Sequence, residues 1–421
     1  MQRETQPKQR VRDPRLDFFR GIAMFVIFVA HVPWDWWALW IPARFGFSDA
    51  TETFVFCSGM ASAIAFGAVF ERRGWLMGTA RIAHRVWQVY WSHVALFVAV
   101  LALAMFLTSL GPSLGGGGKN YVLALNLGHV FDLSKGAIAG LLTLTYVPNY
   151  FDILPMYLGI LAMIPFIMAL ARVSPWAAGA ACVAMWLWAN AKLVGLPGID
   201  LPAEPWSNRD WFFNPFGWQL VFFTGFAFMR GWIPAPPVNR RLVILAAIVT
   251  LASVPFAYFR ILDAVPELRA IHSDIWVLRD KTDFGPLRYV HFLATAYLAW
   301  VAVGPMGRRI TDWGPLTWVV DVIRRVGQQS LAVFLTSMFL AQVAGFVLDQ
   351  MGRSHATMAL VNLAGFAIII AVAYGVAWFK RQPWKGLPAQ LPAPQSASKN
   401  ISDERMAPVR ERPAAQGIPA Q

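Results

Sequence analysis

The chain has 421 residues, 57% of them hydrophobic and only 14% charged, with a formal net charge of +13. A soluble protein of this length would split into two or three domains with charged surfaces, and a disordered chain would be poor in apolar residues, so neither class fits. The two cysteines, Cys57 and Cys182, both fall in apolar runs and imply no disulfide framework.

The apolar residues come instead in runs long enough to enter a bilayer. Ten spans are predicted, over 18–36, 51–70, 87–109, 150–171, 176–194, 215–233, 241–259, 289–306, 328–348 and 357–379. The fold class is therefore an all-α polytopic membrane protein with about ten transmembrane helices. A basic tail over 1–16 precedes a membrane domain over 17–380, and the Pro, Ala and Gln content of 386–421 predicts a disordered tail.

The first span reads RGIAMFVIFVAHVPWDWW from Arg20. Eleven residues at about 1.5 Å each put His31 about 16 Å from Arg20, and eleven steps of about 100° return it to the same face. With Arg20 at one interface of a hydrocarbon core about 30 Å thick, His31 is expected near mid-depth or slightly beyond. An ionisable group there is either a satisfied packing histidine or a functional one. The run ends in Pro33, Trp34, Trp36 and Trp37 with no small-residue cleavage pattern, so it is not a signal peptide.

The stretch FGFSDATETFVFCSG leads into the second span. Ser48 or Asp49 can cap that helix and Glu52 sits in its first turn, where the helix dipole favours an acid. The short loop also brings Glu52 to the same side as His31, within reach of its ring, and a carboxylate–imidazole pair makes a general base. Before the third span, ERRGWLMGTARIAHR supplies Arg72, Arg73, Arg81 and Arg85, the last two on one helical face. They either anchor the segment at the interface or receive a polyanionic cytosolic donor, since the guanidinium fork suits phosphate.

GGGGKN at 115–120 lacks the spacing and the Ser/Thr of a P-loop and reads as a flexible loop. VPNYFDILPMY places Asn149 and Asp152 at the mouth of the fourth span as candidate acceptor-binding groups. The loop 260–288 carries His272, Asp274, Trp276 and further charges. Aromatic and carboxylate groups of that kind suit a carbohydrate, or form an ordinary solvated loop with aromatic-belt residues. No H-E-x-x-H or C-x-x-C spacing is present, so no metal site is predicted.

Of the 36 Lys and Arg residues, 25 fall on the side of the amino terminus and 11 on the other. That asymmetry is the positive-inside bias and predicts both termini in the cytoplasm. The basic balance thus reports topology, and no nucleic-acid partner is expected.

RLDFFRGIAMFVIFVAH resembles the first-span signature of the acyltransferase type 3 superfamily, in which L-D-x-x-R-G opens the helix and a histidine follows. FVFCSG resembles its second-span F-x-x-S-G element. NYFDILPMYLGIL, NPFGWQLVFFTGF and VGQQSLAVFLTSM resemble a narrower family, the OpgC proteins, membrane enzymes that succinylate osmoregulated periplasmic glucans of Gram-negative bacteria. The resemblance covers about residues 12 to 380. It implies an acyltransferase domain in the bacterial inner membrane, a cytosolic acyl-CoA donor (succinyl-CoA by the family's pattern), and a periplasmic glucan acceptor. By the superfamily pattern Arg20 and His31 carry over as its Arg–His pair, with Asp17 and Ser58 as accompanying motif residues.

Acyl transfer from a thioester to a sugar hydroxyl needs a base near the hydroxyl and donors near the developing oxyanion. On this reading His31 is the general base or itself carries the acyl group. Arg20 steers the donor, oriented by Asp17, while Arg73, Arg81 and Arg85 hold its phosphates. Glu52 and Asp152 orient His31 or bind glucan hydroxyls, with Asn149 and Ser58 beside them on the acceptor side. No cofactor is expected to be permanently bound. The competing reading, a secondary transporter or flippase for a glycan or anion, also suits buried Arg and His. It would often show an internal repeat, and the His31 segment has no counterpart in 215–380.

Overall fold

The computed structural model describes residues 13–114 and 118–385. The predicted tails before residue 13 and from residue 386 lie outside the described residues, as do 115–117 of the glycine-rich loop. One compact unit ends at Lys380, and the fold below is that of this unit. Of the second, Arg381–Gln421, the described part is one short 3-10 turn, Pro383–Lys385.

Helices cover all ten predicted segments, and among the described residues the β-structure is a single isolated bridge, Pro202 to Asp210. The long helices are α1 (Pro14–His31), α2 (Ala50–Ser62), α3 (Ala68–Leu110), α4 (Ile153–Val173), α5 (Pro175–Ala189) and α6 (Pro215–Arg230). They continue with α7 (Arg240–Ser253), α8 (Pro286–Val303), α9 (Thr317–Gln328), α10 (Ser330–Met351) and α11 (His355–Lys380). Among the described residues four helices are long and apolar enough to cross a membrane: the continuous run Ala50–Leu110, then α4, α10 and the helix that α11 begins. A bent pair, Pro286–Val303 with Pro305–Thr311, makes a fifth if it is one span. The other segments fall short for physical reasons. α5, α6 and α7 have only 15, 16 and 14 residues, and α1 carries Arg15, Asp17 and Arg20 among its 18.

Local chemistry sets the boundaries. Asp13 caps α1 by accepting from the Arg15 N–H at 3.0 Å, and Pro14 supplies a first residue already in helical φ. Pro33 ends it by forcing Val32 into an extended conformation. His31 is therefore the last residue of α1 and Arg20 lies inside its second turn, so the helix starts before and ends before the predicted span 18–36. The predicted cytosolic loop 71–86 is also helical. α2 and α3 run on through a π-turn at Ala63–Gly67 and bend at Gly74, whose φ is +80°. The segment contains no proline to stop it.

Two backbone-on-backbone crossings hold the unit together, and both need glycine on each side. A Cβ on Gly21 of α1 would overlap the Ile323 carbonyl of α9, and one on Gly327 of α9 would overlap the Asp17 carbonyl of α1. In the same way Gly59 of α2 faces the Phe222 carbonyl of α6, and Gly225 of α6 faces Phe56 of α2. Small residues at membrane helix interfaces allow this approach, and van der Waals packing drives it.

Gly225→Ala pushes a methyl into backbone that has nowhere to go, costing about 1–3 kcal/mol. The variant should melt several degrees below wild type in detergent. Gly375→Ala, with nothing within 4 Å of its added Cβ, should melt like wild type. Equal melting temperatures would show that the crossing tolerates a methyl.

Candidate functional site

The outer end denotes the end of the unit where α1 finishes, and the inner end that where it starts. At the outer end the His31 ring turns back on its own helix, with Nδ1 2.7 Å from the Ile27 carbonyl oxygen. A carbonyl only accepts, so in the neutral ring Nδ1 carries the hydrogen and Nε2 keeps its lone pair. The ring meets Tyr150 edge-on, with centroids 5.4 Å apart and planes at 80°. Tyr150 has φ +90°, rare for a bulky residue and worth about 1–3 kcal/mol of strain. The strain is sustained because the phenol donates to the Met338 carbonyl of α10.

Behind His31 lies a ring of four charges at the starts of α2 and α8. Asp49 and Glu52 form a capping box: Asp49 Oδ1 accepts from the Thr51 N–H at 2.6 Å, and Glu52 Oε2 from the Asp49 N–H at 2.8 Å. Their remaining oxygens accept from cations of the loop preceding α8 and of α8 itself. Lys281 Nζ donates to Asp49 Oδ2 at 2.6 Å, and Arg288 Nε to Glu52 Oε1 at 2.8 Å. Arg288 Nη2 also lies 3.6 Å from Asp49 Oδ2. Burial alone would raise the Asp49 carboxyl, but the Lys281 and Arg288 charges outweigh it and hold the group well below the usual carboxylate range. Glu52 is 0% exposed. The predicted Glu52–His31 pair is thus not made. Glu52 is consumed by Arg288, and the charges that act on His31 are Lys281 and Asp49. One turn along α8, His291 Nδ1 accepts from the Ser48 N–H at 3.2 Å with Ser48 Oγ at 2.7 Å, pinning the loop after α1.

At the inner end Arg20 donates to Ser330 Oγ at the start of α10, and Asp17 Oδ2 accepts from Gln328 Nε2 at 3.2 Å. Asp17 is buried beneath the Gly327 crossing. The neighbouring Gln329 accepts from Lys380 Nζ at 2.7 Å, and Arg85 is near enough for its charge to act on Lys380. Arg20, Lys380 and Arg85 therefore form a cationic row. Arg81 lies over the Phe66 ring at 5.8 Å, and Arg85 also donates to Gln88 at 3.2 Å. Arg73 is exposed and lies across the Gly74 bend from Arg81, so it is not brought to this row.

On the acceptor side, Asn149 Oδ1 accepts from Arg209 Nη1 at 3.0 Å. Arg209 also binds Glu204, whose Oε1 and Oε2 accept from Arg209 Nε, Asn126 and Ser207 at 2.8 Å each. Burial would raise the Glu204 carboxyl, but these donors outweigh it and hold it below the ordinary range. Asp152 is buried at the start of α4 with no hydrogen-bond partner for Oδ1. Ser58 is buried about 9 Å deeper along α2 than Glu52, beside Gly59. Sequence reasoning missed Tyr150, Lys281, Arg288 and Lys380. A lone arginine in the first turn of an apolar helix, facing a lone glutamate in the first turn of another, was the available signal for Arg288. Among the described residues no three His, Cys, Asp or Glu side chains are grouped to hold a metal.

The family model described as OpgC protein matches residues 12–381. No curated protein and no solved structure matches the chain. The geometry generates its own test. Glu52→Leu or Arg288→Leu alone strands one buried charge, at about 3–5 kcal/mol. The double variant strands none and should melt above either single variant in detergent. Additive losses in the double variant would mean that the two side chains act independently.

Proposed function

The chain belongs to the OpgC family, and from that premise we propose a membrane O-acyltransferase moving an acyl group, succinyl by the family's pattern, from cytosolic acyl-CoA to hydroxyls of periplasmic glucans. In this reading ten helical segments cross the inner membrane, both termini are cytoplasmic, the inner end faces the cytosol and the outer end the periplasm. One observation carries the proposal. His31 keeps a free lone pair on Nε2 at the outer end of the same helix whose inner part bears Arg20.

The chemistry follows from those positions. Arg20, Arg81, Arg85 and Lys380 hold the donor's phosphates, for which guanidinium forks and an ammonium are suited. A glucan hydroxyl gives its proton to His31 Nε2 while its oxygen attacks the thioester carbonyl. The carbon–sulfur bond then breaks, and the thiolate takes that proton from the imidazolium. In the covalent variant Nε2 attacks the thioester carbonyl and expels the thiolate. The hydroxyl oxygen then attacks the acyl carbon, its proton going to that thiolate as the carbon–nitrogen bond breaks and frees the ring. Tyr150 and the Ile27 carbonyl hold the ring in either case.

His31→Ala should lower transfer to glucan by about 10²–10⁴-fold at normal membrane abundance. Mass spectrometry of periplasmic glucans from a deletion strain carrying the variant reads this out. Unaltered substitution would remove His31 from the reaction, and a deletion strain whose glucans no longer reach the periplasm would favour the transporter reading.

Sidedness is separately testable. With the buried Cys57 and Cys182 replaced by Ala, Lys135→Cys should react with an impermeant thiol reagent in intact spheroplasts. Arg73→Cys should react only after the membrane is opened. The reverse pattern would put the donor cations on the wrong side.

A further inference from the structure

A cavity of about 130 Å³ with a mixed polar and apolar lining lies at the outer end, away from His31 and between the end of α5 and the loop before α8. Asn190, Lys192, Trp276, Asp280, Thr282 and Asp283 line it. We propose that it is a subsite for one sugar ring of the acceptor glucan, with Trp276 as the stacking platform. This rests on the acyltransferase reading for the identity of the acceptor, but its geometry stands apart.

Four observations point to a neutral polyhydroxylated ring. The first is size: at about 130 Å³ the cavity is a little smaller than the apolar cavity of about 150 Å³ that encloses benzene, so a sugar ring can seat one edge in it with the rest left outside. The second is chemistry. An indole that is 55% exposed stands beside an amide, a hydroxyl, an ammonium and two carboxylates, the mixture that satisfies hydroxyls edge-on and C–H groups face-on. The third is charge. Lys192 Nζ already meets Asp200 at 3.1 Å and Asp283 at 3.3 Å, so the ammonium is neutralised from two sides. The carboxylates repel a phosphate or a dicarboxylic acyl donor, and the ammonium opposes a metal cation.

The fourth is rigidity. Asp283 is tied by Asn214 Nδ2 to its Oδ1 and by Asn190 Nδ2 to its carbonyl, both at 2.8 Å. The Asp283 N–H donates to Asp280 Oδ2 at 2.9 Å, and Trp218 Nε1 holds the Lys281 carbonyl at 2.8 Å. Gly217 lets the loop lie directly on α6, since a Cβ there would overlap the Asp283 carbonyl. The same loop faces two ways. Asp280, Thr282 and Asp283 line the cavity, while Lys281 between them reaches Asp49 beside His31. A sugar held in the cavity is therefore one loop's thickness from the charged ring of the catalytic end.

The test uses full-length protein in lipid nanodiscs and a β-linked glucose oligosaccharide as probe. Wild type should bind it by calorimetry, and so should His31→Ala, which separates binding from chemistry. Trp276→Ala and Thr282→Ala should each weaken binding about tenfold and raise the glucan KM by a similar factor with kcat little changed. Trp276→Phe should restore most of the loss by keeping an aromatic face. Binding and KM unchanged in both alanine variants would overturn the subsite while leaving the acyltransferase reading intact. A calorimetric signal with calcium chloride that Asp280→Asn abolishes, with no oligosaccharide signal, would overturn it in favour of a cation site. Oligosaccharide binding that is lost in Trp276→Ala, in a protein that transfers no acyl group, would uphold the subsite and refute the acyltransferase.

Discussion

The arrangement depends on one constraint: charges removed from water must find partners. Glu52 is buried, and its carboxylate is tolerable only because Arg288 arrives from a helix 236 positions away in sequence. Asp49 and Lys281 repeat the solution one turn outward. The outcome is a neutral ring of four charges, not a lone acid. That ring joins the starts of α2 and α8, and the same two helices are joined again through Ser48 and His291. The loop between α1 and α2 is thereby pinned, and His31 at its head is held in place. Removing one charge would loosen the ring that positions the histidine, not merely one contact.

The motif residues divide into two kinds of work. Gly21, Gly59, Gly225 and Gly327 lie in four of the stretches that resemble the families, yet they bring backbone against backbone. Asn214 and Gly217 of NPFGWQ fix the loop 280–283. Arg20, His31 and Tyr150 remain as groups with chemistry to offer. A motif match by itself assigns no such roles, because close approach and catalysis both restrict a position to one residue type.

The sequence made the helices legible, because apolar runs, Asp and Asn caps and proline stops are local signals. All ten segments are helical, and the capping box at Asp49 was foreseeable from its spacing. The position of Arg20 and His31 on one helix was equally legible. What stayed hidden is everything that depends on a partner far away in the chain. Glu52 could be assigned to His31 because both lie at the same end, and nothing local announces that Arg288 outcompetes the ring. Tyr150 was passed over for its neighbours Asn149 and Asp152, an amide and an acid, since an edge-on ring contact leaves no spacing pattern. The bounds of the first helix were misjudged, because Asp13 and Pro14 start it earlier than the hydropathy does and Pro33 ends it at His31.

The separation of Arg20 and His31 limits what the two can do together. Arg20 and His31 are about 16 Å apart along α1, and the Arg20 guanidinium is turned to Ser330 on α10. A hydrogen bond to a developing oxyanion needs a donor about 3 Å away. So Arg20 and His31 cannot both touch the reacting carbonyl. If His31 meets the glucan hydroxyl at the outer end, Arg20 acts on the donor's remote part together with Arg85 and Lys380. Oxyanion stabilisation then falls to groups at the outer end. Arg288 and Lys281 are already committed to Glu52 and Asp49, but each has hydrogens to spare, as the ammonium and guanidinium carry three and five. The charged ring would then serve twice, as the clamp that holds the loop and as the positive field beside the reacting carbonyl.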